Sequence, residues 1–252
     1  NYSQNTQKLK YGGSIEIREN QRDSWSKRHT ESFLSDNTSQ FSQQNNQSNG
    51  KTDAISGNFR FEWKIDSLTT IMYRPSVNFS KGNSNSGSFS ETLNNELIPI
   101  NQKEATNRQT NDRFSTNGSL QFNRKLNSKG RNIALRLYYN LDNGNSDRYS
   151  LANTYYLKYG DSIKVQNQWI DNLNRNHEYR VQLTYMEPVF TNHFIEINYS
   201  YQHRSSLSEK YAYDWNDLED SYSQYPDTAQ SDCYKNKYSI HQVGAFFRTI
   251  RT

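Results

Sequence analysis

Ordinary apolar residues are scarce in this chain of 252 residues: only 32% are hydrophobic, against roughly 45–50% in an ordinary globular domain. A compact sphere of this length needs a thick apolar core, and these residues can hardly supply one. A large soluble α/β enzyme is therefore not expected. The single cysteine, Cys233, excludes an internal disulfide framework and a multi-cysteine metal site. No run approaches about 18 consecutive apolar residues, so no transmembrane helix is expected. No charged stretch followed by an apolar one opens the sequence, so any signal peptide is read as removed or lying outside it. There is no glycine-rich phosphate loop, no GxSxG elbow and no basic block, so neither an enzyme of those classes nor a nucleic-acid partner is expected. No cofactor is implied.

What is abundant points elsewhere. Aromatics reach 14% and net charge is only +4, from 30 basic and 26 acidic residues. Disordered chains are aromatic-poor and strongly charged, so the low aliphatic content does not mean disorder. Asn, Ser and Gln fill the gap.

Several segments alternate apolar and polar residues with period two, as a strand with one apolar face does. Residues 55–65 place Ile55, Gly57, Phe59, Phe61, Trp63 and Ile65 on one face and Asn58, Arg60, Glu62 and Lys64 on the other. The same pattern runs through 69–79, 114–126, 133–141, 179–185 and 195–201, more weakly through 13–27 and 238–249. A phase change between Ile240 and Val243 predicts a β-bulge. Pro75, inside a strand pattern, predicts a local irregularity because it removes a ladder donor.

The connections alternate in kind. Short turns fall near Asp66-Ser67, Asn127 to Gly130, and Pro188 to Asn192. Long polar loops are expected at about 36–52, 83–112, 146–176 and 208–236. About eight antiparallel strands follow. A strand crossing a bilayer needs one apolar face, a paired backbone and roughly 9–11 residues. Short periplasmic turns, long extracellular loops and aromatic girdles complete the pattern of an outer-membrane barrel. Trp63 beside a short turn suits an interfacial ring. A soluble β-sandwich also alternates, but its strands average about 5–6 residues.

Two stretches carry a family resemblance. Trp63-Lys64-Ile65-Asp66-Ser67-Leu68-Thr69-Thr70 runs into Tyr73-Arg74-Pro75-Ser76. Leu183-Thr184-Tyr185-Met186-Glu187-Pro188 precedes His193-Phe194-Ile195-Glu196. These strand–turn–strand joints resemble the barrel region of Bacteroidetes outer-membrane proteins of the TonB-dependent receptor type, over most of the chain. The resemblance implies a signal peptide, a plug domain inside the barrel, about 22 strands, and energy from an inner-membrane TonB complex. The sequence departs from that pattern in four ways: no plug is visible, no signal peptide is visible, the strands are too few, and Arg248-Thr249-Ile250-Arg251-Thr252 lacks a terminal aromatic.

The expectation is therefore an all-β, antiparallel, up-and-down transmembrane β-barrel segment, residues 1–252 forming a single region of a larger barrel in the bacterial outer membrane. Its function is TonB-dependent uptake of a small nutrient or oligosaccharide captured by the long loops. Its partners are outer-membrane lipid and, through the parent protein, the plug and the TonB complex. A soluble or surface-anchored glycan-binding module and a passive porin-like barrel are the competing readings.

No residue is expected to be catalytic. Tyr155, Tyr156, Trp169 and Trp215 are loop aromatics that suit ligand stacking. Asp214, Asp217, Glu219 and Asp220 form an acidic stretch with oxygen ligands for Ca²⁺, although it lacks EF-hand spacing. The five histidines, His29, His177, His193, His203 and His241, show no metal-ligand spacing.

Overall fold

The computed structural model describes residues 2–34, 38–158 and 162–249. They build one antiparallel, up-and-down sheet. Eight strands are long: β2 (Leu9–Phe33), β3 (Ser39–Lys64), β4 (Thr69–Leu93), β5 (Pro99–Lys125), β6 (Asn132–Tyr156), β7 (Ser162–Phe190), β8 (His193–Asn216) and β10 (Asp232–Thr249). Two are short: β1 (Tyr2–Asn5) pairs with β2, and β9 (Ser221–Tyr222) with the end of β8. The spatial order is the chain order, β1 through β8 and then β10. Among the described residues no ladder joins β10 to β1 or β2, so the sheet is open.

The strands are far longer than the alternating segments suggest. β4 has 25 residues and β7 has 29, where a soluble strand has about 5–6. The polar segments 39–52, 83–93, 99–112, 146–156 and 162–176 are not loops, as their polarity led us to expect, but strand continuations, with a tight connection at 94–98 between β4 and β5. Residues 36–37 and 159–161 of the expected loops lie outside the described residues. The fourth, 208–236, keeps only an irregular stretch between β8 and β10, interrupted by β9. The reason is physical. Asn and Ser on both faces give no hydropathy alternation, yet the ladder needs only backbone groups, which pair fully here.

The short turns fall where the sequence places them, and their side chains explain why. Asp66 Oδ1 accepts the N–H groups of Leu68 and Thr69, both at 2.7 Å. Asn127 Oδ1 accepts those of Lys129 (3.0 Å) and Arg131 (2.9 Å). Such side chains imitate a backbone turn. Between β7 and β8, Asn192 takes the left-handed conformation at φ 61°, which Asn tolerates.

Two expected irregularities resolve differently. Phe59 and Arg60 lie opposite Pro75 and Arg74 without ladder bonds, but the register is unbroken on either side. The proline leaves a gap, not a bulge, because its missing N–H affects one rung. β10 keeps continuous register with β8 from Asp232 to Thr249. Ile240 therefore belongs to the face opposite Val243, and no bulge is needed. Register shifts occur instead at Thr92/Leu93 and Pro188/Phe190.

Among the described residues neither face carries a second layer. The long strands pack mainly on their sheet neighbours, and the buried apolar side chains among the described residues are Leu93, Ala152, Ile170 and Ala212. Phe61 is 44% exposed, Leu137 37% and Ile197 48%. These side chains do not form a sealed interior.

Candidate functional site

The strand register turns the alternating patterns into rows across the sheet. Directly opposed residues share a face. One row reads Leu9, Trp63, Ile71, Phe122, Leu135, Leu183, Tyr199 and Val243. The next reads Tyr11, Phe61, Tyr73, Leu120, Leu137, Val181, Tyr201 and His241. The apolar segments thus form one continuous band on one face, at the short-turn end of every long strand.

The band has the height of a bilayer core. On β6 it runs from Ile133 to Leu141, about 27 Å of strand. Its centre slides toward the short turns, from Gly118 on β5 to Ala245 on β10, relative to the rows. Averaged from β2 to β10, that slide equals a strand tilt of roughly 30° if the band is level. The height is then about 23 Å, beside about 25 Å for the apolar band of an outer-membrane barrel.

The opposite face is polar at the same height, and its carboxylates are paired with arginines. Arg113 grips Asp142 through two bonds of 2.7 Å. Arg60 donates to Glu62 at 3.0 Å, Arg18 to Glu16 at 2.6 Å, and Arg248 lies 2.7 Å from Glu196. Glu178 accepts from Gln202 at 3.0 Å and lies 3.6 Å from Arg180, which donates to Gln202 at 2.9 Å. Partly exposed pairs of this kind add little stability. They do fix the directions of the side chains along the wall.

Above the band, aromatic side chains gather on the same face as the apolar rows. Tyr149, Trp169 and Tyr213 form one row across β6, β7 and β8. Trp169 stacks on Tyr213 with centroids 4.7 Å apart, and its indole N–H donates to Asp147 Oδ1 at 3.0 Å. Tyr222 of β9 packs on Trp215 (5.1 Å, edge-on) and Tyr149 (5.8 Å) and donates to Asn167 Oδ1 at 3.1 Å. Asp171 lies opposite Asp147. Burial, with the Asp147 and Glu209 charges, pushes its carboxyl above the usual range. A cleft of about 450 Å³ adjoins this row between Arg108, Thr110, Asp147 and Tyr149.

The four aromatics singled out from the sequence thus divide. Trp169 and Trp215 join this group, but from strands β7 and β8 and not from loops. Tyr155 and Tyr156 end β6, on opposite faces, about 20 Å along the strand from Tyr149. Sequence reading missed Tyr149, Tyr213, Tyr222 and Asp147. The signal was spacing: Tyr149 and Trp169 are equidistant from the 157–161 connection, and Trp169 and Tyr213 from the Thr191-Asn192 turn.

The acidic stretch spreads out. Asp214 lies in β8 and accepts from Gln168 at 2.7 Å. Asp217, Glu219 and Asp220 occupy the exposed connection after it. Among the described residues no three acidic, histidine or cysteine side chains gather where a cation would sit. Comparison with protein families, curated proteins and solved structures finds no match for this chain.

Proposed function

We propose that this chain forms part of the wall of a bacterial outer-membrane β-barrel, a receptor or transporter that brings a small nutrient or oligosaccharide into the cell. The apolar rows face hydrocarbon, the polar face lines a water-filled passage, and the short turns lie in the periplasm. The continuous apolar band, level with a charged face behind it, carries this reading. Lipid offers no partner to backbone groups, and inside the sheet the ladders pair them, which leaves the outer edges of β10 and of β2 beyond β1 for further strands of a larger barrel. In the family reading, a plug inside the barrel and an inner-membrane TonB complex supply gating and energy. No residue acts as a catalyst.

The aromatic group of Tyr149, Trp169 and Tyr213 favours a second reading, a surface-exposed sheet that stacks on sugars through these rings. That reading needs the apolar band to be covered by protein and not by lipid.

Spin labels in the full-length protein, in its native membrane and with Cys233 changed to Ser, separate the two. A label at Leu137→Cys is expected to be relaxed by oxygen and shielded from a water-soluble nickel chelate. A label at Gln182→Cys should show the reverse. Equal access of the chelate to both positions overturns the lipid-facing assignment. A passive pore differs in turn from an energised one by uptake that persists after the proton gradient is dissipated.

A further inference from the structure

We infer that the passage is selective for anionic solutes. The inference rests on the proposed membrane-wall reading and names the substrate class that this wall favours.

The observation is a separation of charge between the two faces of one sheet. At the height of the apolar band, the five carboxylates of the polar face, Glu16, Glu62, Asp142, Glu178 and Glu196, are each engaged by an arginine. Six further cations share that face: Lys10, Lys64, Arg74, Lys125, Arg136 and Arg204. None of the six forms an ion pair among the described residues. Two of them face a carboxylate across the ladder, Lys10 opposite Glu62 and Arg204 opposite Glu178. Those carboxylates are the ones already engaged by Arg60 and Arg180. Arg136 lies between Gln121 and Gln182 in its row, so its cross-strand neighbours are neutral, and Arg74 lies between Ser119 and Arg60, itself a cation.

The bias continues above the band. There the polar face presents only two carboxylates, Asp214 and Asp232, against six Lys or Arg side chains from Arg22 to Lys210. The whole chain carries only +4. The excess on this face is therefore larger than the net charge and is offset elsewhere, in the connections and on the outer face. Glu19, Asp23, Asp147, Asp171 and Glu209 lie on that outer side, beyond the apolar rows.

A cleft lined by one sign of charge, between walls of low dielectric constant, concentrates the counter-ion. Rings of Arg and Lys select anions in pores. Arg74, Arg136 and Arg204 stand on three different strands in the middle of the wall, and the lysines stand near its periplasmic end. An anionic solute entering from outside meets free cations along the whole path. A carboxylate, phosphate or sulfate group finds there the planar donors that arginine presents.

The test uses charged thiol reagents on the full-length protein in membranes, with Cys233→Ser as background. Gln182→Cys lies directly opposite Arg136. Its reaction rates with an anionic and with a cationic methanethiosulfonate are compared with those of a free thiol. At low salt the anionic reagent is expected to gain about tenfold or more over the cationic one, and the gain should shrink as ionic strength rises. Changing Arg74, Arg136 and Arg204 together to Gln should bring the ratio back toward that of the free thiol. The salt series on the Gln182→Cys protein stands by itself if that variant does not fold. A ratio equal to that of the free thiol, or a faster cationic reagent, overturns anion selection and leaves the barrel reading intact. No reaction with either reagent overturns the water-lined passage itself.

Discussion

The Tyr139 hydroxyl lies 3.1 Å from the Tyr73 hydroxyl, although the two residues sit on β6 and β4 with β5 between them. Gly118 makes the reach possible. It pairs with Tyr139, and a Cβ there would lie 2.7 Å from the Tyr139 ring. The ring lies across the bare backbone, and the two phenols hydrogen-bond over it. Gly118→Ala should therefore displace the ring and destabilise the folded sheet by about 1–3 kcal/mol. Tyr73→Phe should cost about as much by orphaning the second hydroxyl. Urea unfolding in lipid bilayers checks both, and the Tyr73→Phe/Tyr139→Phe double variant should cost less than the two single variants added together.

Charge placement should divide the faces. Leu137→Arg puts a guanidinium in the middle of the apolar band and is expected to cost about 2–4 kcal/mol of folding free energy in a bilayer. Gln182→Arg, on the other face, should be tolerated. The heat-modifiable mobility of the folded full-length protein on gels gives the readout. Equal loss from both variants would contradict the assignment of faces.

Asp66 gives the first hairpin a pH dependence. The Leu68 N–H, then the Thr69 hydroxyl and N–H, hold its carboxyl below the usual range. A depressed carboxyl stabilises above its unfolded value of about 3.9, and that contribution is lost as pH falls through the lower folded value. Amide exchange at Leu68 and Thr69 should be slow near neutral pH and accelerate, relative to neighbouring strands, in acid below about pH 4. Asp66→Asn keeps one acceptor and should abolish the acid step.

Asp171 works in the opposite sense. Its carboxyl is raised by burial and by the Asp147 and Glu209 charges. Its favourable contribution is complete below about pH 3.9 and is lost as pH rises through the folded value. Asp171→Asn should therefore raise the thermal midpoint at pH 7 and leave it unchanged below about pH 4. Asp147→Asn should move the Asp171 titration back toward the ordinary range.

The sequence made the part of the architecture that carries the apolar band legible and hid the rest. Phe114 to Phe122 and Ile133 to Leu141 announce their strands because one face is apolar and the other polar. Asn83 to Ser88 lies in the same strand as Ile71 but alternates nothing, since both of its faces are polar or bare. It therefore reads as a loop. The turns were readable from Asp66, Asn127 and Asn192, whose side chains or backbone preference make the bend. The aromatic row of Tyr149, Trp169 and Tyr213 was not readable residue by residue, because it depends on register carried unbroken from two turns. Closure of the sheet is not encoded in any local pattern, and the described strands stay open.

The 25 residues of β6 would reach roughly 80 Å fully extended, and the continuous apolar band from Ile133 to Leu141 takes up only the lower third. In an outer membrane the remainder would stand clear of the lipid as a stiff, hydrogen-bonded collar, with its rim several nanometres above the bilayer. A solute would be admitted or turned away at that rim, out of reach of anything confined to the headgroups. Bulky macromolecules would meet a chimney and not a flexible fringe.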